Sequence, residues 1–218
     1  MKWTGERIKK ELIFWLNDKY LEKKIIVPEI SQNYNNINRI VDVLLVNGHT
    51  IGFEIKGETD NLSRLESQLE IYTKTLEYVY VVYWRDKYKN IEVPENVGLI
   101  EVYEENGKIK FKKIKKAYYN KIDTFIIFQN LWNEEIRFIL HQLGILEWNS
   151  KNYAYSDMKK YFKLTKATKV RKLYRFILKK RFETFYKNII KTRKIRKRGF
   201  DYSLYIKELK AIKNYQLW

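Results

Sequence analysis

The seven residues Tyr78-Val79-Tyr80-Val81-Val82-Tyr83-Trp84 are all β-branched or aromatic. That density leaves no reading but a buried strand, and the rest of the chain arranges around it. Upstream, Thr4 followed by Glu6, Lys9 and the apolar set Ile8, Leu12, Ile13, Trp15 and Leu16 predicts an amphipathic helix ending near Tyr20. Ile25-Ile26-Val27 reads as a short strand stopped by Pro28. Residues 39–46 and 50–56 read as a hairpin around Asn47-Gly48, the strongest turn pair in the chain. Asp60-Asn61 can cap a helix over 61–77, in which Leu62, Leu65, Leu69, Tyr72 and Leu76 recur at three- and four-residue steps. Beyond Trp84, residues 97–103 and 108–113 flank Glu105-Asn106-Gly107 as a smaller hairpin. Helices are expected over 123–147, with Gly144 as a stop, and over most of 157–197. The predicted order is helix, three strands, helix, strand, hairpin, then helices: an α/β core with an added β-hairpin and an all-α C-terminal part.

A chain of 218 residues, 45% hydrophobic and 16% aromatic, can bury a core, which excludes disorder as the global state. It has no cysteine and two histidines, His49 and His141. Disulfides, iron–sulfur clusters, thiolate zinc and cysteine nucleophiles are thereby excluded. Any metal must be held by oxygen, which favours Mg²⁺, Mn²⁺ or Ca²⁺. His49 is expected in a solvent-facing loop and His141 on a helix surface. No apolar run approaches a membrane span and the N-terminus reads as free of a signal peptide, so the expected location is cytoplasmic, away from membranes.

The net charge of +18 is unevenly spread. Residues 151–218 hold 22 Lys/Arg and 4 Asp/Glu, whereas 1–150 hold 22 of each. This predicts a near-neutral domain at 1–118 and a basic helical domain at 119–218 that binds a polyanion. Aromatics interleaved with the charges argue against a disordered tail. The run from Lys191 to Arg198 is expected to be its most exposed part.

Asp42 lies in one strand of the first hairpin; Glu54 and Lys56 lie two apart in the next and so share a face. An Asp, a Glu and a Lys on one sheet surface can support metal-assisted phosphodiester hydrolysis, with carboxylates for the ion and an ammonium to orient water or offset developing charge. The competing reading is an ordinary exposed ion pair on an open hairpin face. Register separates the two. A tight Asn47-Gly48 loop makes paired residue numbers sum to 95 and puts the carboxylates on opposite faces; a sum of 96, with Asn47-Gly48-His49 as the loop, sets Asp42 across from Glu54. The chemistry, and the burial of Val41, Val43 and Leu45 with Ile51, Phe53 and Ile55, favour 96.

Asp42, eleven intervening residues, Glu54-Ile55-Lys56, and a helix carrying Gln68-Leu-Glu-Ile-Tyr72 together resemble the PD-(D/E)XK nuclease superfamily. The match is strongest over residues 25–84. Within that superfamily the chain is similar to small bacterial and phage proteins that continue into helices. Val41 stands where the superfamily usually has proline. The resemblance implies a restriction-endonuclease-like αβββαβ core and Mg²⁺ or Mn²⁺ held by Asp42, Glu54 and the Ile55 carbonyl, with Glu29 as a further ligand. It also implies Lys56 as the base-like residue, with Gln68 and Tyr72 bracing the site or touching the phosphate backbone. Arg39 and Arg64 are candidate phosphate contacts, joined in the basic part by Lys172, Arg175, Arg193, Lys194, Arg196, Lys197 and Arg198.

The leading expectation is therefore a metal-dependent endo- or exodeoxyribonuclease whose basic helices grip the nucleic acid backbone, with DNA the expected substrate. The alternative is a nucleic-acid-binding or partner-binding phage accessory or anti-defence protein on a nuclease-like scaffold without cleavage of its own. A protein partner is compatible with either.

Overall fold

The computed structural model describes residues 2–21, 23–145 and 166–193. Its centre is a six-stranded mixed sheet whose strands lie side by side in chain order: β1 (Ile25–Tyr34), β2 (Ile37–Val46), β3 (Thr50–Lys56), β4 (Tyr78–Trp84), β5 (Gly98–Glu105) and β6 (Lys108–Lys115). The β1–β2, β2–β3 and β5–β6 neighbours are antiparallel, while β4 runs parallel to both β3 and β5. Helix α1 (Gly5–Lys19) precedes the sheet and α2 (Leu65–Thr75) supplies the β3-to-β4 crossover. Helices α3 (Thr124–Gln129), α4 (Asn133–Gln142) and α5 (Ala167–Thr192) follow it.

Two hydrophobic clusters sandwich the sheet. Ile8, Leu12, Ile13 and Leu16 of α1 pack on Val43, Leu45, Phe53, Ile55, Val82 and Ile100. On the opposite face, Leu69, Tyr72 and Leu76 meet Val41, Leu44, Val46, Val79 and Val81, joined there by Ile127, Phe128, Phe138, Leu173 and Ile177. Burial on both faces is why β4 is a continuous β-branched and aromatic run rather than an alternating one. The described helices of 119–218 thus share a core with the sheet. None of the described helices is long and apolar enough to cross a membrane.

Several element boundaries differ from expectation for local reasons. The first strand does not stop at Pro28 but continues to Tyr34. Because β1 is an edge strand, the proline's missing N–H can face outward at no cost to the ladder. That edge is covered: the Asn130 side chain accepts from Asn33 N at 2.8 Å and donates to Asn33 O at 3.1 Å, as a neighbouring strand would. The predicted 61–77 helix shortens to α2, leaving Leu62 exposed. The predicted 123–147 helix breaks into α3 and α4. Asn130 turns aside to β1, and the Glu135 carboxylate caps the restart by accepting from Trp132 N at 2.8 Å. After α4, Gly144 takes φ +79°, the left-handed stop its sequence position predicted. Of the predicted 157–197 helix, 166–193 are described: α5 occupies 167–192 and stops at Arg193, which takes φ +51°; 157–165 and 194–197 lie outside the described residues.

The first hairpin adopts the even register. Val43 faces Phe53 and Val46 faces Thr50, so paired numbers sum to 96 and Asn47-Gly48-His49 is the loop, closed by Asn47 N donating to His49 O at 3.1 Å. Pairing ends at Val43/Phe53. Beyond it, β2 pairs with β1 alone and Glu54 to Lys56 pair with β4 alone. The sheet forks between β2 and β3. One expected neighbour changes side at the fork: Val41 packs with the α2 cluster, while Val43 and Leu45 face α1. The strict alternation of β2 is broken at Asp42, where the strand swings away from β3.

Gly57, directly after Lys56, lets the start of α1 approach β3. A Cβ there would lie 2.6 Å from Gly5 N and 2.7 Å from Trp3 O, closer than side-chain carbons come to backbone, and Glu58 N donates to Trp3 O at 2.9 Å across the same contact. Gly57→Ala should therefore destabilise the fold by about 1–3 kcal/mol, measured by urea unfolding. An unchanged midpoint would show that this approach is not tight.

Candidate active site

At the fork, the Ile55 amide, which a continued β2–β3 ladder would have paired, and the Ile40 carbonyl are both answered by side chains. The Asp42 carboxylate accepts from Ile55 N at 2.7 Å, and the Tyr72 hydroxyl donates to Ile40 O at 2.6 Å. An unpaired buried amide or carbonyl costs about 1–3 kcal/mol, so these contacts hold the fork open without that penalty. Tyr72 is fully buried. Its hydroxyl is taken up inside the protein by the Ile40 carbonyl.

Glu54 and Lys56 project into the fork from β3. Lys56 Nζ donates to Glu54 Oε1 and to Gln68 Oε1, both at 3.0 Å. Gln68 and Tyr72, one turn apart on α2, thus both reach the β2–β3 fork. The other Glu54 oxygen, Oε2, is buried without a hydrogen-bond partner among the described residues. A carboxylate 3% exposed with one oxygen unanswered is costly unless a proton or a cation completes it. Burial, reinforced by the nearby Asp42 charge, pushes Glu54 up to about 7 against the pull of Lys56 and of the neighbouring Tyr72 hydroxyl, whose proton goes to Ile40 O. Burial also raises Asp42, opposed by the Ile55 amide and by Lys9 and Lys56.

Glu29 reaches the same place from β1. The register passes unslipped from Pro28/Val43 to Ile30/Val41, which sets Glu29 opposite Asp42. Glu29 adopts φ +54°, uncommon for a residue with a side chain, where β1 bends alongside β2. Its carboxylate meets Lys9 of α1. Lys9 Nζ lies 2.7 Å from Glu6, 3.1 Å from Glu29 and 3.9 Å from Asp42 Oδ1. Burial alone would lower this ammonium, but Glu6, Asp42 and Glu29 together raise it.

Lys9 and Glu6 are site residues that the motif reading missed. Lys9 occurs in phase with Leu12, Ile13 and Leu16, all buried. A lysine on the apolar stripe of a helix is the signal that could have found it. Among the described residues, no three His, Asp or Glu side chains form a ready metal cage. The donor set facing the fork is two carboxylates, Asp42 and Glu54, with Glu29 engaged by Lys9.

Arg64 stands one helical turn before Gln68, its carbonyl accepting from Gln68 N at 3.0 Å. Arg39 is half-buried and donates to Asn38 O; Arg64 is exposed just before α2. Lys172 and Arg175 line a cleft of about 790 Å³ with Lys23, Lys24, Lys179 and Lys180, between α5 and the β2–β3 loop. Arg175 donates to the buried Glu77 at 2.7 Å, so one of its roles is internal. The Arg193 guanidinium sits 5.1 Å over the Phe14 ring. Lys194, Arg196, Lys197 and Arg198 lie outside the described residues. His49 is exposed at its loop, edge-on to Tyr78 and Tyr119; His141 is half-buried at the end of α4.

The family model for bacteriophage P4 protein cII matches residues 2–203. The chain belongs to that family. Protein cII of Enterobacteria phage P4 is 31% identical over 144 residues, which are 64% of this chain and 54% of that protein. The chain thus spans about half the length of the curated relative it matches. A solved structure of a protein of unknown function from Silicibacter pomeroyi aligns with a TM-score of 0.43 at 13% identity, covering 67% of this chain and 95% of that one. Membership of a phage protein family agrees with the phage-type resemblance of the sequence.

The raised Glu54 gives a pH signature. Its carboxyl titrates near 4.5 when exposed and near 7 when folded, so the folded state keeps a proton that the unfolded state has released. Its contribution is therefore fully present below about 4.5 and is lost as pH rises through 7. In EDTA, the melting temperature should fall between about pH 4.5 and 7, and Glu54→Gln should flatten that fall. Parallel profiles for the two proteins would contradict the assignment.

Proposed function

We propose that this chain is a metal-dependent nuclease of the PD-(D/E)XK type, hydrolysing phosphodiester bonds in nucleic acid, with DNA as the expected substrate. The observation that carries the reading is Glu54 Oε2: a buried, unanswered carboxylate oxygen beside Asp42, with the Lys56 ammonium bonded to the same carboxylate. The element order α1-β1-β2-β3-α2-β4 supports a restriction-endonuclease-like core, with β5 and β6 as the added hairpin.

Asp42, Glu54 and the Ile55 carbonyl would hold Mg²⁺ or Mn²⁺, which when bound polarises the phosphate and acidifies a water. The chain's own residues do the positioning. Ile55 N–H fixes the Asp42 carboxylate, leaving lone pairs for an ion. Lys56 spends two of its three N–H donors on Glu54 and Gln68, and the third is available to orient the attacking water or to offset charge on the phosphate. Gln68 sets the direction of that donor. The basic cleft along α5 supplies sequence-independent grip on the backbone.

A second reading, a nucleic-acid- or partner-binding phage protein without cleavage, is favoured by Lys9, whose ammonium already pairs with Glu29 and stands near Asp42. A cleavage panel of linear, branched and single-stranded DNA and RNA, with Mn²⁺ against EDTA, separates the two. Under the nuclease reading, Asp42→Ala and Lys56→Ala should abolish Mn²⁺-dependent cleavage while leaving binding nearly intact, and binding should weaken steeply with added salt. Binding without cleavage of any substrate would favour the second reading.

A further inference from the structure

Lys9 is 4% exposed and belongs to a buried stripe with Ile8, Leu12, Ile13 and Leu16. Its helix cannot drift from the sheet, because the start of α1 is seated against Gly57 and held by the Glu58 N to Trp3 O bond. The ammonium is thus a fixed feature of the fork. It faces Glu29 at 3.1 Å and Asp42 Oδ1 at 3.9 Å, while Asp42 Oδ2 takes the Ile55 amide at 2.7 Å. Glu54 Oε2, on the β3 side, is the carboxylate oxygen left unanswered.

Two-metal phosphodiesterase sites hold their ions about 3.5–4 Å apart, with carboxylates shared between them. Here one side of Asp42 is already met by a cation belonging to the chain. We infer that the Lys9 ammonium permanently fills the cation position between Glu29 and Asp42, so that the fork takes one divalent ion, on the Glu54 side, rather than two. Lys9 is then a positioning residue. It neutralises Glu29, sets the Asp42 carboxylate toward Glu54, and makes Glu29 a partner of the lysine instead of a metal ligand. The inference rests on the proposed metal site.

Calorimetric titration of the full chain with Mn²⁺ tests it without reference to activity. The wild type should bind one ion at the fork, a binding lost in Glu54→Gln. Lys9→Gln should bind two, the second lost again when Glu29→Gln is added, while Lys9→Arg should keep the single ion. Two fork ions in the wild type would overturn the inference even if Lys9→Gln failed to fold. So would a Lys9→Gln protein that binds one ion with wild-type affinity, or none. Those results leave the metal site standing. Absence of Mn²⁺ binding in both the wild type and Lys9→Gln would remove the metal site and this inference together.

Discussion

The fork between β2 and β3 depends on the bond from Ile55 N–H to the Asp42 carboxylate. Antiparallel strands separate only if the ladder groups they abandon find other partners, and in a buried sheet water cannot serve. Asp42 takes the amide on one side of the fork and Tyr72 covers the Ile40 carbonyl on the other. Once the strands part, Glu54 and Lys56 have room to meet Gln68 from α2. The bend in β2 is matched by left-handed Glu29 in β1, which brings a third carboxylate to α1. One charged side chain thus serves as a structural cap and as the centre of the proposed site.

Much of this was legible because period and chemistry agreed. The β4 run admitted one structure, and the need to set Asp42 and Glu54 on one face pointed to the even hairpin register against the local preference of Asn47-Gly48. Other features depend on tertiary neighbours that no local pattern encodes. Pro28 reads as a stop until β1 is known to be an edge strand. Asn130 reads as an ordinary helical residue until it pairs with Asn33. Val41 follows the alternation of β2 on paper, yet the fork turns it to the opposite face. Lys9 was visible as a charge on an apolar stripe, but its acidic neighbours come from β1 and β2, remote in sequence.

Charge counting has a similar limit. The basic excess predicts affinity for a polyanion, and α5 does line a cleft rich in lysine. Part of that charge works inside the protein instead. Arg175 pairs with buried Glu77, and the Arg181 guanidinium forks onto buried Glu135 beneath the Trp132 ring. Such pairs fix α5 to the sheet and to α4, since removing one partner would strand a buried charge.

The proposed site turns on where a divalent ion settles. Crystals grown or soaked with Mn²⁺ and measured at the manganese absorption edge locate it directly. One anomalous peak is expected in the fork, coordinated by Asp42, Glu54 and the Ile55 carbonyl, with Lys9 still seated on Glu29. A fork with no peak at saturating Mn²⁺, its Glu54 carboxyl instead completed by a proton and a protein partner, would contradict the proposed site.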